Sequence, residues 1–176
     1  MVVNLIGGSK DREGSIPWTD KTILNVFSTT KAVTAICIAR LMDQGKLDLS
    51  KKVSEYWPEY ACLGKENTKV SDFLCHRAGM FGFQGGMPDL PLSDWEGWTK
   101  ILASQSPFRE PGSSQGYHAL TYGWLVGEII RRVDGRSVGK YFQEEIAEPF
   151  GIDFKIGLSL EDICLLYTSP SPRDRG

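Results

Sequence analysis

Apolar residues recur at helical spacing in three long stretches of the chain, and the first stretch is the most apolar of them. It follows Ser28 and reaches Gln44, after which Gly45 supplies a residue type that commonly ends a helix. Its apolar members are Ala32, Val33, Ala35, Ile36, Ile38, Ala39, Leu41 and Met42. Because they cover nearly the whole circumference, the pattern predicts a helix from about Thr29 to Gln44 that is buried in the centre of a domain.

The other two stretches predict amphipathic helices in the second half of the chain. One covers residues 117–135 and ends at a glycine. The other covers residues 137–152 and is expected to stop at Pro149, because proline lacks the backbone N–H that continues a helix. A shorter helix is predicted at residues 71–75, where two good capping residues stand at the start.

The remaining segments predict strands and loops. Val2–Ile6 has the composition of a strand followed by a glycine turn, and Ile23–Phe27 is a second strand-like run. Residues 80–116 are rich in glycine, proline and tryptophan, which predicts a long irregular lobe. The sequence Trp95-Glu96-Gly97 within it is interpreted as loop.

The chain is expected to hold one domain, at residues 1–163, that is incomplete at both ends. Residues 164–176, CLLYTSPSPRDRG, continue no helical or strand period and have the composition of a tail. This segment resembles read-through from sequencing adapters or libraries, and a native disordered terminus is the alternative interpretation.

Composition and charge exclude several classes of function. The apolar fraction of 41% is ordinary for a globular domain, and a net charge of −2 gives no basic surface for nucleic acid. No apolar run is long enough to span a membrane. The chain has no C-x-x-C pair, and neither of its two histidines has a second ligand at zinc spacing. We therefore expect a reduced, cytoplasmic protein without a metal or other cofactor, and leave its oligomeric state open.

Two segments match the pattern S-x-x-K, Ser28 to Lys31 and Ser137 to Lys140. Ser137 heads an amphipathic helix and is explained as a helix cap. A cap does not explain Lys31, because the first turn of a helix favours negative side chains. The same field, together with burial, disfavours an ammonium and favours a neutral amine. Since residues three apart share a helix face, the amine of Lys31 is expected beside the hydroxyl of Ser28, which it would activate as a nucleophile.

A third candidate nucleophile is Ser114, in the sequence Gly112-Ser113-Ser114-Gln115-Gly116. A nucleophile elbow of the form G-x-S-x-G needs a buried strand before it and a helix directly after it. Two prolines precede this segment and no histidine follows His118. The segment is therefore interpreted as a loop that leads to Tyr117.

Three segments together, VFSTTKAV, FLCHRAGM and PGSSQGYHALTYGWLVGEIIRRVDG, resemble the serine β-lactamase-related hydrolases. This group includes class C-like β-lactamases, family VIII carboxylesterases and β-lactamase-domain proteins. The resemblance implies an α+β fold with an antiparallel sheet flanked by helices and a helical lobe, here without its C-terminal strands. It implies Ser28 as the acyl-enzyme nucleophile, Lys31 as its proton-accepting partner and Tyr117 as a second acid or base.

The chain departs from that family in two places. The motif Y-x-N is Tyr117-His118-Ala119 here, so the asparagine that would bind the amide side chain of a lactam is absent. No K-T-G or H-x-G sequence follows Tyr117 to supply the third motif. His118, Phe81 and Trp98 are expected to contribute to substrate binding, because they lie beside the tyrosine or in the lobe that precedes it.

The predicted function is therefore a serine hydrolase acting on a small-molecule ester or amide, with carboxylic esters favoured. Hydrolysis of β-lactams or D-amino-acid peptides is the first alternative, because it needs the same fold and nucleophile. A catalytically inactive fragment or a binding module is the second alternative, since the third motif is missing.

Overall fold

The computed structural model describes residues 3, 5–163 and 166–167. The chain divides into two compact units, Met1–Phe27 with Gly157–Gly176, and Ser28–Ile156. Among the described residues, no helix is both long and apolar enough to cross a bilayer.

The larger unit is built from helices. Its α-helices are α1 (Thr29–Asp43), α2 (Val70–Leu74), α3 (Trp95–Ser104), α4 (Thr121–Asp134), α5 (Val138–Phe142) and α6 (Glu148–Phe150). Single 3-10 turns lie at Val53–Glu55 and Pro58–Tyr60, and a π turn at Gln143–Ala147 joins α5 to α6. Helix α4 packs against α1, α2 and α3, so the core of this unit surrounds it.

Helix α1 has the predicted bounds but not the predicted burial. It ends at Asp43, and Gly45 takes a left-handed φ of 68° directly after it. Only one face is buried, at Thr34, Cys37, Ile38 and Leu41. Ile36, on the opposite face, is 52% exposed. The prediction of a helix buried all round is therefore wrong for this chain, because within the larger unit neighbours cover α1 on one side alone.

Helix α4 begins four residues later than the apolar pattern suggested. Residues 117–120 precede it as an irregular segment, and it ends as predicted at Gly135, which has a φ of 90°. Its central carboxylate, Glu128, is fully buried and accepts hydrogen bonds from Arg131, Arg132 and Trp95. These bonds hold the pKa of Glu128 below its usual value, although burial alone would raise it.

Helix α3 contradicts the prediction that residues 80–116 are irregular throughout. Asp94 starts the helix by accepting a hydrogen bond from the backbone N–H of Gly97 at 3.0 Å. The indole of Trp95 packs on Gly127 of α4, where a Cβ atom would lie 2.6 Å from the ring. The interpretation of Trp95-Glu96-Gly97 as loop is wrong, because a cap and a tertiary contact outweigh its glycine-rich composition.

The third predicted helix forms, but Pro149 does not stop it. Residues 138–150 continue through α5, the π turn and α6, and Gly151 ends them with a φ of 61°. Proline is tolerated here because it occupies the first turn of the short α6 segment.

The smaller unit contains strand β1 (Ile23–Leu24), helix α7 (Leu160–Ile163) and strand β2 (Leu166–Tyr167). β1 and β2 pair in parallel, with Ile23 opposite Leu166. An antiparallel sheet does not occur in the part of the chain that the structure describes, where only isolated antiparallel bridges are found.

Three sequence predictions fall on this unit. In the predicted strand Val2–Ile6, residues 3, 5 and 6 are not in a strand, and residues 2 and 4 lie outside the described residues. Only the first two residues of Ile23–Phe27 form a strand. Of the predicted tail, 164–165 and 168–176 lie outside the described residues, and the two between them form β2.

Candidate active site

Ser28 immediately precedes α1, and its hydroxyl does not cap the helix. No backbone N–H of α1 donates to its Oγ atom, and its backbone has helical angles, φ −69° and ψ −10°. Ser137, in the other S-x-x-K segment, has extended backbone angles, and its Oγ atom accepts from Lys140 N at 3.3 Å. The two matching motifs therefore differ in structure, since one serine is a cap and the other leaves its hydroxyl available for chemistry.

Lys31 and Tyr117 both reach the hydroxyl of Ser28. The Nζ atom of Lys31 donates to Ser28 Oγ at 3.1 Å, and the phenolic O–H of Tyr117 donates to the same atom at 2.8 Å. The first contact follows from the spacing within α1. The second joins α1 to the irregular segment before α4. Ser28 and Tyr117 are both exposed, so a substrate can approach this cluster.

A backbone carbonyl holds the amine of Lys31 from a second side. Nζ donates to the carbonyl oxygen of Ala119 at 2.8 Å and lies 5.0 Å from the centre of the Tyr117 ring. The Tyr122 hydroxyl donates to the backbone carbonyl of Lys31 at 3.2 Å. Ala119 stands at the asparagine position of the family motif. Its main-chain oxygen therefore orients the lysine although its side chain has no polar group.

The surroundings of Tyr117 favour its ionised form. The Ser28 hydroxyl contributes most to lowering the pKa of the phenol, because it can donate a hydrogen bond to the phenolate, and contact with the Lys31 amine lowers that pKa further. A tyrosine with a lowered pKa can take up and return a proton near neutral pH more readily than an ordinary one.

Ser114 lies in a loop, in agreement with the interpretation that it is not an elbow. The nearest helix after it is α4, which begins at Thr121. Its hydroxyl accepts a long hydrogen bond from Arg109 at 3.4 Å.

His118 and Trp98, which the sequence analysis expected to contribute to substrate binding, are buried, and that contribution stays a prediction. Both side chains are 0% exposed. His118 Nε2 accepts from the backbone N–H of Met80 at 3.1 Å, and its Nδ1 lies 2.7 Å from the carbonyl oxygen of Gly116. Burial lowers the pKa of His118 to about 4. Trp98 donates to the carbonyl of Pro91 at 2.8 Å, so both residues support the structure beneath the surface.

Phe81 is half-buried beside the segment that carries Tyr117. It stacks on Phe108 with ring centres 4.9 Å apart. A Cβ atom on Gly116 would lie 2.7 Å from its ring, so Phe81 packs closely on the residue before Tyr117. Its predicted contact with substrate stays a prediction.

Sequence reasoning missed two contributors to this cluster, the Ala119 carbonyl and His76. A main-chain acceptor has no signature in the sequence, because any residue type could supply it. His76 lies within the segment FLCHRAGM, and its ring packs on that of Tyr117 with centres 4.8 Å apart. In the described part of the chain, no three His, Cys, Asp or Glu side chains are grouped so that they could hold a metal ion. The expectation that no cofactor is needed remains a prediction.

Comparison with known proteins gives one family match. A family model described as Beta-lactamase matches residues 1–162. Esterase/beta-lactamase LipL of Mycobacterium tuberculosis is 40% identical over 152 residues, which are 86% of this chain and 35% of that protein. A putative D-alanyl-D-alanine carboxypeptidase of Escherichia coli is 28% identical, over 82% of this chain and 36% of that protein.

Solved structures with the same fold agree with the sequence match. A penicillin-binding protein homologue from Caulobacter crescentus superimposes with a TM-score of 0.88 and 41% identity, covering 94% of this chain and 45% of that one. A family VIII carboxylesterase superimposes with a TM-score of 0.87 and 39% identity, covering 92% of this chain and 45% of that one. The chain thus spans less than half the length of each relative described here.

Proposed function

The chain belongs to the beta-lactamase family, and from the contacts of Ser28 we propose that it carries the nucleophile of a serine hydrolase that acts on carboxylic esters through an acyl-enzyme. The observation that supports this proposal is the position of Ser28 Oγ, 3.1 Å from the Lys31 amine and 2.8 Å from the Tyr117 hydroxyl. Within this proposal, the third family motif and the antiparallel sheet belong to a part of the whole protein outside this chain.

In the proposed reaction, the phenolate of Tyr117 takes the proton of Ser28 as Oγ attacks the ester carbonyl. Lys31, as an ammonium, stabilises the phenolate and stays oriented by the Ala119 carbonyl. The tetrahedral adduct then collapses, and Tyr117 returns the proton to the leaving alcohol. Water attacks the acyl-enzyme in the second half, with Tyr117 as base, and Ser28 regains its proton. Lys31 as the direct proton acceptor is the alternative within this mechanism, because its amine is also within reach of Oγ.

Esters are favoured over lactams because of the residue at position 119. Alanine has no side-chain amide, and its carbonyl already accepts a hydrogen bond from Lys31. A substrate whose recognition depends on an extra polar anchor therefore loses that anchor here, whereas a simple acyl ester needs fewer polar contacts. The names of LipL and of the carboxypeptidase relative keep β-lactams and D-amino-acid peptides as the second candidate class.

Labelling with a fluorophosphonate probe, followed by peptide mapping in a mass spectrometer, tests the nucleophile. We expect the label on Ser28 in the unmodified chain and in Ser137→Ala, and no label in Ser28→Ala. Ser137→Ala is the matched control because it removes the serine of the other S-x-x-K segment. A label on Ser114 would replace the proposal with an elbow mechanism, and an unlabelled chain would favour an inactive fragment or a binding module.

The substrate class is tested by comparing a short-chain aryl ester with a chromogenic cephalosporin. Faster turnover of the ester, abolished in Ser28→Ala, is expected. Turnover of the cephalosporin alone would assign the chain to the second candidate class.

A further inference from the structure

His76 holds the chain on both sides of Tyr117. Its carbonyl oxygen accepts from the backbone N–H of Gly116 at 2.9 Å, and its Nδ1 atom accepts from the backbone N–H of His118 at 3.1 Å. The two bonded residues are the immediate neighbours of Tyr117. His76 therefore fixes the backbone on both sides of Tyr117.

The ring of His76 also packs against two tyrosine rings of the site. It contacts the ring of Tyr117 with centres 4.8 Å apart and that of Tyr122 with centres 5.3 Å apart. The amine of Lys31 lies 5.0 Å and 5.7 Å from the centres of the same two tyrosine rings. His76 thus shares two of its three ring neighbours with Lys31, and the third is the ring of His118, whose centre lies 5.4 Å away.

The backbone of His76 is in a conformation that most side chains avoid. Its φ is +58°, in the left-handed region, where a residue other than glycine is uncommon. That conformation lets the carbonyl and the ring of the same residue face one segment of chain. Strained backbone of this kind persists where the surrounding structure enforces it, and it is concentrated at functional sites.

We infer that His76 is a positioning residue that directs the hydroxyl of Tyr117 toward Ser28 through its bonds to the backbone at residues 116 and 118. Nδ1 can accept the N–H of His118 only when the proton of a neutral imidazole is on Nε2. His76 makes no contact with the reacting atoms in this scheme. Its effect on the reaction passes entirely through Tyr117. The inference rests on the proposed function only for its effect on rate, since the placement of Tyr117 can be measured without catalysis.

Two substitutions separate the acceptor from the backbone strain. His76→Gly accepts the positive φ but has no side-chain acceptor, whereas His76→Asn tolerates the same φ and offers its amide oxygen near the place of Nδ1. We expect His76→Gly to slow fluorophosphonate labelling of Ser28 by about 10²-fold, because small misplacements of catalytic groups cost that much. His76→Asn should recover most of the rate, and an aryl ester should reveal the loss in kcat with KM little changed.

A double-substitution cycle tests whether His76 acts through Tyr117. In a Tyr117→Phe background, His76→Gly should cause no further loss of labelling rate. An equal loss in both backgrounds would overturn the inference and assign His76 to the general stability of the site. Melting temperatures of all variants are measured first, and rates are compared below the lowest of them.

Titration of Tyr117 provides a readout that does not depend on activity. The ultraviolet difference between each chain and its Tyr117→Phe partner reports the ionisation of this phenol. Its pKa should rise toward the ordinary tyrosine value in His76→Gly and stay low in His76→Asn. If the pKa of Tyr117 is unchanged in His76→Gly, or if it rises in His76→Asn, the inference is overturned. If the unmodified chain fails to label at Ser28, the proposed function fails while this titration still decides the role of His76.

Discussion

The phenolic O–H of Tyr117 donates to Oγ of Ser28 across 2.8 Å, although 89 positions separate the two residues. Ser28 adjoins the first turn of α1, and Tyr117 lies in the irregular segment before α4. Their contact exists only when these two helices are packed together. The contact between Ser28 and Tyr117 therefore depends on the fold of the larger unit.

Tyr117→Phe tests the role of the phenol. It removes the proposed base and should lower the labelling rate of Ser28 by about 10²–10⁴-fold, the usual contribution of one acid or base. The unfolding midpoint should change little, because the side chain is 54% exposed. In the unmodified chain, the labelling rate should rise with pH as Tyr117 ionises. It should level off below the ordinary tyrosine pKa, because contacts with Ser28 and Lys31 lower the pKa of Tyr117. The labelling rates of the unmodified chain and of Tyr117→Phe are measured from acid to alkaline pH. If the rate of Tyr117→Phe rises with pH in the same way, the phenol does not have this role.

Replacing the two S-x-x-K serines by alanine should have opposite effects on stability and on labelling. Ser137→Ala removes a helix cap and should destabilise the chain by about 0.5–2 kcal/mol while leaving labelling intact. Ser28→Ala should abolish labelling and cost little stability, because its hydroxyl caps no backbone N–H. Urea unfolding of the two variants, with labelling in parallel, makes the comparison. A larger stability loss for Ser28→Ala would mean that this hydroxyl is structural.

The burial of His118 should make the chain sensitive to acid. Its pKa is lowered to about 4 in the folded state, so the unfolded state binds a proton first as the pH falls below 6.5. The contribution to stability is complete above that pH and is lost progressively down to about pH 4. Converted at about 1.4 kcal/mol per pKa unit, the loss is about 3 kcal/mol.

His118→Gln is the control for this acid sensitivity. Its side-chain oxygen can accept from the backbone N–H of Met80 but does not titrate in this range. Urea unfolding at pH 7 and at pH 4.5 should show a smaller difference for His118→Gln than for the unmodified chain. Equal pH sensitivity of the two would assign the effect to other groups, among them His76, whose pKa is lowered by burial and by the charge of Lys31.

Glu128→Gln should destabilise α4 and its contact with α3. The substitution keeps the shape of the side chain but removes the charge that satisfies Arg131 and Arg132. Removing one partner of a buried ion pair lowers the free energy of unfolding by about 3–5 kcal/mol. Because both arginines are partly exposed, we expect a loss of stability near the lower figure. Glu96→Gln, at an exposed position of α3, is the matched control and should change stability by less than about 0.5 kcal/mol. Unfolding midpoints of the two variants decide the point.

The sequence by itself determined the parts of this protein that depend on near neighbours. Helix α1 begins after Ser28 and is followed by Gly45, as its apolar periodicity and the glycine after it predicted. The contact of Lys31 with Ser28 was also predictable, because a spacing of three residues places both on one face of a helix. The family resemblance predicted that Tyr117 belongs to the same site, and its hydroxyl lies 2.8 Å from Ser28 Oγ.

Only the tertiary structure decided the rest of the site. Long-range packing buried His118 and Trp98, which the sequence had suggested as substrate contacts. It placed the carbonyl of Ala119 on the Lys31 amine and His76 on the backbone around Tyr117. These contacts join backbone groups and rings from distant segments. Their formation depends on how helices pack, which neither residue type nor local spacing specifies.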